Sequence, residues 1–269
     1  MNLEMRNRIY NQAKDWVLQA GMVIRKKMAE PLEIETKSNR NDLVTTMDKD
    51  IEYFFVSRIK QKYPDDKIIS EEGYGDTLGS LKGTVWIIDP IDGTMNFVHQ
   101  KRNFAISVGV YHEGIGEFGF IYDVMADTIY SAKRGEGAYK NDYRLPKLNS
   151  EKQITESIIG MNHFWLCENR LVDEKVMQQF IRTIRGTRLY GSAALEFAYV
   201  SEGIMDGYIS MSLAPWDFAA GVIILKEVGG EIYTATGEEI NMLKKNSIVA
   251  CNPSIKHEII DKHLKAGRK

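Results

Sequence analysis

The chain has 269 residues, of which 43% are hydrophobic, and a formal net charge of −2. That length can bury a sizeable core, either as one large domain or as two tightly joined halves. The nearly balanced charge gives no basic field, so nucleic acid is not expected as a partner.

Segments that would direct the chain to a membrane are not evident in the sequence. No stretch approaches the roughly 18 apolar residues of a membrane span, and the N-terminus lacks the apolar core of a signal peptide. Cys167 and Cys251 are far apart and belong to no metal-binding or redox motif. They suit two unpaired thiols in a reducing cytoplasm, although a single disulfide between them remains an alternative.

The first half of the chain is predicted to contain two helices and then strands. Apolar residues recur at three- and four-residue steps over 2–28, which predicts a long amphipathic helix. The polar stretch 37–42 is predicted to be a mobile loop. A second helix is expected to end at Tyr63, with Thr46 or Asp48 as its N-cap. Apolar runs at 67–70 and 85–89 predict strands, and alternating runs predict an antiparallel meander over 104–112, 116–124 and 128–133.

After about residue 150 the pattern changes to an alternation of helices and strands. Strands are predicted at 154–161, 207–211, 231–233 and 248–251, and helices at 171–184, 192–202, 215–228 and 253–264. We therefore expect two halves, 1–150 and 151–269, that share one compact catalytic unit, because no linker separates them.

The densest chemical signal is the segment 86–97, Trp-Ile-Ile-Asp-Pro-Ile-Asp-Gly-Thr-Met-Asn-Phe. An apolar strand delivers Asp89 at its end, and the following proline disfavours helical geometry there. Asp89 and Asp92 offer the oxygen ligands that hard cations prefer. Gly93 permits a sharp turn and Thr94 opens a short helix, whose first N–H groups suit a phosphate. The simpler alternative is a capped turn without a ligand.

Acidic residues elsewhere favour the metal site over the capped turn. Glu71 and Glu72 follow the strand 67–70, and Asp217 opens the helix 215–228. Each also has a structural alternative, since Asp217 suits the helix dipole and the two glutamates suit a solvated turn.

Together these motifs resemble those of the inositol monophosphatase family, which belongs to the lithium-sensitive, magnesium-dependent phosphatases. The segments 86–99 and 216–230 match in full, and 37–48, 70–72 and 191–193 support them, so that the resemblance spans nearly the whole chain. It implies an α/β fold, a layered α-β-α-β-α sandwich of the inositol monophosphatase and fructose-1,6-bisphosphatase type. It also implies a homodimer.

The resemblance also implies a role for each motif residue. The ligands of two magnesium ions, with a weaker third ion common in the family, would be Glu71, Asp89, the carbonyl of Ile91, Asp92 and Asp217. Thr94, bonded to Asp48, is similar to the family pair that orients and helps deprotonate the attacking water, with Glu71 beside them. Asp48 equally suits a helix cap.

The implied substrate contacts are Asp92, Gly93, Thr94, Gly191, Ser192, Ala193, Ser210 and, on the loop, Lys37 and Arg40. Ser210 stands where animal inositol monophosphatases carry a glutamate, which weakens the expectation of strict inositol selectivity. Lys37 and Arg40 either favour a second phosphate on the substrate or are solvated charges.

The sequence therefore predicts a magnesium-dependent phosphatase that hydrolyses inositol monophosphate or a similar small polyol or sugar phosphate, using metal-activated water. A broader substrate range, including fructose 1,6-bisphosphate or the 2′-phosphate of NADP, is the alternative. Hydrolysis of 3′-phosphoadenosine 5′-phosphate is less favoured, because the longer insertions of that branch are missing. A catalytically silent binding protein is disfavoured, because every expected metal carboxylate is present.

Overall fold

The computed structural model describes residues 1–28, 34–36, 43–265 and 267. Helices alternate with two mixed β-sheets in five layers, and the apolar residues between the layers form three hydrophobic cores, the central one of which includes the middle helices. This arrangement confirms the predicted α-β-α-β-α sandwich. The loop carrying Lys37 and Arg40 lies outside the described residues.

The first outer layer consists of two helices, α1 (Leu3–Lys27) and α2 (Thr46–Lys62). A short antiparallel pair, β1 (Ile34–Thr36) and β2 (Leu43–Thr45), precedes α2. The predicted N-cap of α2 was wrong, because Thr45 caps the helix and Asp48, at its third position, reciprocates in a capping box. The cap therefore lies one residue before the predicted Thr46.

The large sheet has the order β3-β4-β5-β6-β7-β8-β9. Only β3 and β4 are parallel, and all the other pairs are antiparallel; the meander predicted over three strands, β5 to β7, is confirmed and extends to β4 on one side and to β8 and β9 on the other. The sequence did not predict the last two strands, which are too short to show a pattern. The bounds are β3 (Lys67–Ser70), β4 (Thr84–Asp92), β5 (Ala105–His112), β6 (Ile115–Asp123), β7 (Thr128–Lys133), β8 (Gly137–Lys140) and β9 (Tyr143–Arg144).

Two almost wholly buried helices form the middle layer, α5 (Ala193–Glu202) and α6 (Pro215–Glu227). Both pack in the core that residues of the large and the small sheet share. A helix that is apolar on all sides suits this position between two sheets. The first turns of both helices lie at the candidate site described below.

The small sheet has the order β11-β10-β12-β14-β13. Helix α4 (Glu174–Thr183), helix α7 (Lys256–Ile259) and a π turn (Ile260–Leu264) cover its outer face. Three predicted bounds were too generous here: 154–161 begins with a 3₁₀ turn, 171–184 becomes helical only at Glu174, and 253–264 is a run of 3₁₀, α and π turns. The strands are β10 (Ile158–Met161), β11 (Gly186–Arg188), β12 (Gly207–Leu213), β13 (Glu231–Tyr233) and β14 (Asn246–Cys251).

Two further expectations concern the cysteines and the membrane. Cys167 and Cys251 are both free thiols, the second of them buried. Within the part of the chain that the structure describes, no helix combines the length and apolar character needed to cross a membrane.

Candidate metal centre and active site

A β-bulge in β4 brings two aspartates to one side of the strand. In a regular strand, residues three apart face opposite sides. Here Asp89 lies opposite Ser107 and Asp92 opposite Ala105, so three steps along β4 match two along β5. The extra residue is a bulge, and Pro90, which has no N–H to donate, lies within it. The strand thus continues through the proline, beyond the end predicted at residue 89.

Three carboxylates meet beside this bulge. One oxygen from each of Asp89, Asp92 and Asp217 lies within 4.8 Å of the others. Asp89 is 1% exposed and Asp92 is 7% exposed. Among the described residues, no lysine or arginine forms an ion pair with any of the three, although the charge of Lys245 lies close enough to act weakly on Asp217.

The surroundings of the cluster disfavour ionisation of its members. Burial raises the pKa of Asp89 well above its usual range, and the neighbouring charges of Glu71, Asp92 and Asp217 add to the effect. Burial raises the pKa of Asp92 to about 6 against the opposing effect of its hydrogen bonds. Burial, followed by the charge of Asp92, also raises the pKa of Asp217. A bound cation would reverse this balance, and clustered carboxylate oxygens are the donors that suit magnesium.

Asp92 is held by the start of α5, about a hundred residues later in the chain. Ser192 Oγ donates to it, as do the N–H groups of Ala193 at 3.2 Å and Ala194 at 2.7 Å. Ser192 is also the N-cap of α5. In this structure the predicted substrate turn therefore fixes the orientation of a metal-cluster carboxylate.

The turn after β4 packs closely against the turn before α5. Gly93 has φ +92°, and a Cβ there would lie 3.1 Å from Gly191 O and 3.2 Å from Ser192 Cβ. Only glycine satisfies both the backbone conformation and the spacing. Helix α3 (Thr94–Gln100) begins at this turn, and Asn96 Nδ2 donates to the carbonyl of Tyr190 at 2.6 Å. The turn after β4 and the turn before α5, both predicted to belong to the site, are therefore in direct contact.

Thr94 and Asp48 meet as the sequence predicted. Thr94 Oγ1 lies 3.2 Å from Asp48 Oδ1 and 3.2 Å from the carbonyl oxygen of Ile91, either of which it can donate to. The other oxygen of Asp48 accepts from Thr45 N at 2.8 Å. Burial raises the pKa of Asp48. Asp48 is therefore not the N-cap that the sequence offered as an alternative, but it completes the capping box of α2 and also contacts Thr94.

Glu71 lies near the cluster but outside its tightest group. Its charge is the second cause, after burial, of the raised pKa of Asp89, yet it is absent from the set of oxygens within 4.8 Å. The loop that carries Glu71 is fixed by Glu52, a buried residue of α2. Glu52 accepts from Ser70 Oγ at 2.7 Å, Glu72 N at 2.5 Å and Tyr74 N at 2.8 Å.

Sequence reasoning missed Glu52, although a signal was available. It lies four residues after Asp48 and three before Phe55, which places it on the buried face of α2. A charged residue on an apolar helix face requires a partner, and here the partners hold the Glu71 loop.

Asp217 likewise combines a structural and a site position. It is the third residue of α6 and accepts from the N–H of Ala214 at 2.7 Å. Its carboxylate also belongs to the cluster. The helix-dipole alternative and the metal-ligand alternative are therefore compatible.

A cavity of about 320 Å³ extends from the cluster along the small sheet. Ser210, on β12, lines it together with residues that sequence reasoning did not identify, among them Glu196 of α5. Burial raises the pKa of Glu196 to about 7. The other lining residues are Asp92, Asn162, Trp165, Leu189, Gly191, Ser192, Ala193, Tyr208, Ile209, Ser212, Leu213 and Asp217.

A carboxylate cluster beside a polar cavity, in a layered α/β fold, is an arrangement that suits a metal-dependent hydrolase. The sequence matches the model of the inositol monophosphatase family over residues 5–268. It is 52% identical over 256 residues to the inositol-1-monophosphatase of Bacillus subtilis, covering 95% of this chain and 96% of that one.

Solved structures agree with this assignment. Staphylococcus aureus inositol monophosphatase II is 39% identical with inositol monophosphate bound and 41% identical with 2′-AMP bound, at TM-scores of 0.87 and 0.89. The matches cover 96% of this chain and 94% and 95% of those chains. An inositol monophosphatase/NADP phosphatase complexed with Mg²⁺ and phosphate is 27% identical, with a TM-score of 0.89 and coverage of 98% and 99%.

This chain belongs to the inositol monophosphatase family and is a phosphoric monoester hydrolase. The family binds magnesium, and the cluster of Asp89, Asp92 and Asp217 has the donor chemistry to do so here.

Proposed function

We propose that the protein hydrolyses inositol monophosphate to inositol and phosphate with magnesium as its cofactor. The observation that carries this proposal is the cluster of buried Asp89 and Asp92 with half-buried Asp217, whose oxygens lie within 4.8 Å of one another without an ion-paired cation among the described residues. The adjoining cavity, with polar side chains on its wall, is of a size that suits a small polyol phosphate.

The cluster carboxylates are proposed to hold two magnesium ions, together with Glu71 and the carbonyl of Ile91. One oxygen of Asp89 lies within 4.8 Å of oxygens of Asp92 and Asp217, and the charge of Glu71 also raises its pKa, which suits a shared ligand. Magnesium, when bound, supplies charge neutralisation on the phosphate and activation of water.

Thr94 and Asp48 are proposed to manage the proton of the attacking water. When Thr94 Oγ1 donates to Asp48 Oδ1, its own lone pairs remain available to accept from a water molecule. The bond from Thr45 N to the other oxygen of Asp48 keeps that carboxylate in place. Burial raises the pKa of Asp48, which makes it a better proton acceptor than an exposed aspartate.

The remaining predicted contacts would place the substrate. The N–H groups of Gly93 and Thr94 are proposed to face the phosphate, and Gly191, Ala193 and Ser210 the leaving group, because the last three line the cavity beside the cluster. Lys37 and Arg40 stay predictions, as do the homodimer and the cytoplasmic location.

Phosphate release from inositol 1-phosphate tests the proposed function. The purified protein should be inactive in a chelator and active when magnesium is restored, and lithium should inhibit it. A protein that binds magnesium but releases no phosphate from inositol 1-phosphate or from other monoesters would contradict the proposal and favour a binding role.

A broader substrate range is the second candidate, favoured by one residue and one comparison. Ser210 offers a short hydroxyl to the cavity, and the staphylococcal relative is solved with 2′-AMP bound. We expect comparable kcat/KM for inositol 1-phosphate and 2′-AMP. Ser210→Glu should raise the preference for inositol 1-phosphate about tenfold, the worth of a charged hydrogen bond. An unchanged ratio, with the variant folded, would show that position 210 does not set selectivity.

A further inference from the structure

One charged side chain lies buried among the apolar residues that begin α5. Glu196 is 1% exposed, and among the described residues no lysine or arginine forms an ion pair with it. Burial raises its pKa to about 7. A charge removed from water is costly unless a partner compensates for it. Its neighbours Leu195 and Phe197 belong to the central core, so an apolar residue would suit the packing of this layer. Glu196 therefore requires an explanation other than packing.

The carboxylate of Glu196 binds the turn before α5. Its Oε1 accepts from the N–H of Tyr190 at 2.7 Å, and the N–H of Gly191 also stabilises its charged form. Its Oε2 lies against Gly160 of β10, where an added Cβ would approach it to 2.5 Å, and has no hydrogen-bond partner among the described residues. Within the described part of the chain, the carboxylate therefore makes its hydrogen bonds with this turn alone.

Asn96 of α3 holds the same turn through the other backbone group of Tyr190. Its Nδ2 donates to the carbonyl of Tyr190 at 2.6 Å and to that of Asn103 at 2.8 Å. It also packs against Gly191, where an added Cβ would lie 2.9 Å from Nδ2. Both backbone groups of Tyr190 are thus bound by buried side chains. One of these side chains belongs to the motif 86–97, although sequence reasoning gave it no role.

The turn that these two side chains hold is the one that fixes Asp92. Ser192 Oγ and the N–H groups of the next two residues all donate to the Asp92 carboxylate. These donors begin one residue after Gly191, so a shift of the turn would move them together. Because Asp92 belongs to the carboxylate cluster, its orientation bears on the affinity for magnesium.

We propose that Glu196 and Asn96 are positioning residues that hold the turn 190–191 and, through it, the metal carboxylate Asp92. The inference rests on the proposed function, whose magnesium site includes Asp92. Neither residue is assigned a contact with substrate or metal. Glu196 contributes an acceptor oxygen rather than a negative charge, because the groups that it binds are backbone N–H groups.

Calorimetric binding of magnesium to the purified protein, without substrate, tests this role. Glu196→Met keeps a side chain of similar length but offers Tyr190 N no acceptor, so the Kd for magnesium should rise about tenfold. Glu196→Gln keeps an acceptor oxygen and loses the charge, so its Kd should stay within about twofold of wild type. Glu202→Met is the matched control on α5, because Glu202 binds Tyr130 and Lys140 rather than the turn. It should leave the Kd unchanged.

A double substitution separates an effect through Asp92 from a general loosening of the fold. Ser192→Ala removes the hydroxyl donor to Asp92 and should raise the Kd by itself. If Glu196 acts through the same carboxylate, Glu196→Met should raise the Kd by a smaller factor in the Ser192→Ala protein than in the wild type.

Four outcomes would overturn the positioning role. An unchanged Kd in folded Glu196→Met would confine the glutamate to stability, and a tenfold rise in Glu196→Gln would assign the effect to its charge. A rise in Glu202→Met would assign it to α5 as a whole, and fully additive effects in the double variant would separate Glu196 from Asp92. If Glu196→Met does not fold, Asn96→Ala, which should also raise the Kd, decides alone. Wild type that binds magnesium but releases no phosphate would refute the proposed function, and the binding test would still decide the positioning role.

Discussion

Two regions of the protein bury carboxylates and treat their charge in opposite ways. Glu117 of β6 is 1% exposed, and Arg134 and Arg6 lie 3.0 and 3.7 Å from its oxygens. In the cluster of Asp89, Asp92 and Asp217 the first two are also buried and the third is half-buried, yet no described cation is ion-paired with it. Its members are crowded by one another and by the charge of Glu71.

The difference in charge compensation indicates that the Glu117 region serves stability and that the carboxylate cluster serves function. Removing a charge from water is costly unless an opposite charge replaces the solvent. The fold itself provides that charge at Glu117, and we infer that magnesium provides it at the cluster. A site that repels itself until a cofactor arrives is locally unstable, and such conflicts are typical of functional sites. Variants of the two regions should therefore have opposite effects on stability and on activity.

The largest effect is expected from Asp89→Asn, compared with Glu117→Gln. Asp89→Asn removes the most crowded metal carboxylate, so phosphate release should fall by about 10³-fold or more, since metal stabilisation is worth several kcal/mol. The free energy of unfolding of the metal-free variant should rise by about 0.5–2 kcal/mol, because the repulsion is relieved.

Glu117→Gln is the matched change of a buried carboxylate to an amide. It should cost about 1–3 kcal/mol of stability, because Arg134 loses its charged hydrogen-bond partner while Arg6 keeps Glu136, and leave kcat nearly unchanged while the protein is folded. Denaturant unfolding and phosphate release measure both quantities. If Asp89→Asn destabilised the metal-free protein as Glu117→Gln does, the distinction between the regions would be wrong.

Thr94→Ala probes the chemistry beside the cluster while leaving the carboxylates in place. The hydroxyl that donates to Asp48 is lost, and the backbone N–H remains. We expect kcat to fall by about 10²–10⁴-fold, the usual worth of a positioned proton-transfer group, with KM changed little. A steep rise in KM at constant kcat would make Thr94 a substrate contact instead.

Glu52→Gln tests a buried carboxylate that supports the site through the loop carrying Glu71. The amide has one acceptor oxygen where the carboxylate has two, so it cannot accept from the N–H groups of both Glu72 and Tyr74, and the loop carrying Glu71 should lose its fixed position. The magnesium concentration for half-maximal activity should rise about 10–100-fold, as is typical for residues that support metal ligands. Saturating magnesium should restore kcat, and a lasting loss of kcat would assign Glu52 another role.

The sequence predicted those parts of the protein that depend on local pattern. The helices and the meander follow from apolar spacing, and the segment containing Asp89 and Asp92 was evident from its residues alone. The division of the chain at about residue 150 stays a prediction.

The parts of the site that the sequence did not predict depend on contacts between segments that are distant in the chain. No local pattern shows that a bulge turns Asp89 and Asp92 to one side, or that Asp92 is held by the N–H groups of Ala193 and Ala194. The position of Glu196 Oε2 against Gly160 likewise depends on the packing of α5 on β10, which no local pattern predicts.

The central claim is that magnesium provides the missing charge, and thermal unfolding at two pH values tests it most directly. The fold raises the pKa of Asp92 to about 6. The preference of the folded state for protonated Asp92 therefore contributes fully to stability below the ordinary aspartate pKa of about 4, and this contribution is lost as pH rises through about 6. The metal-free cluster is therefore least favourable at pH 8, where magnesium should help most.

A fixed magnesium concentration of about 100 times the Kd at pH 8 should raise the Tm by about 5–10 °C at pH 8. The same concentration should raise the Tm by less at pH 5. Glu117→Gln should keep this increase in Tm, and Asp89→Asn should lose it. An increase of equal size at both pH values, or one that survives in Asp89→Asn, would contradict the account.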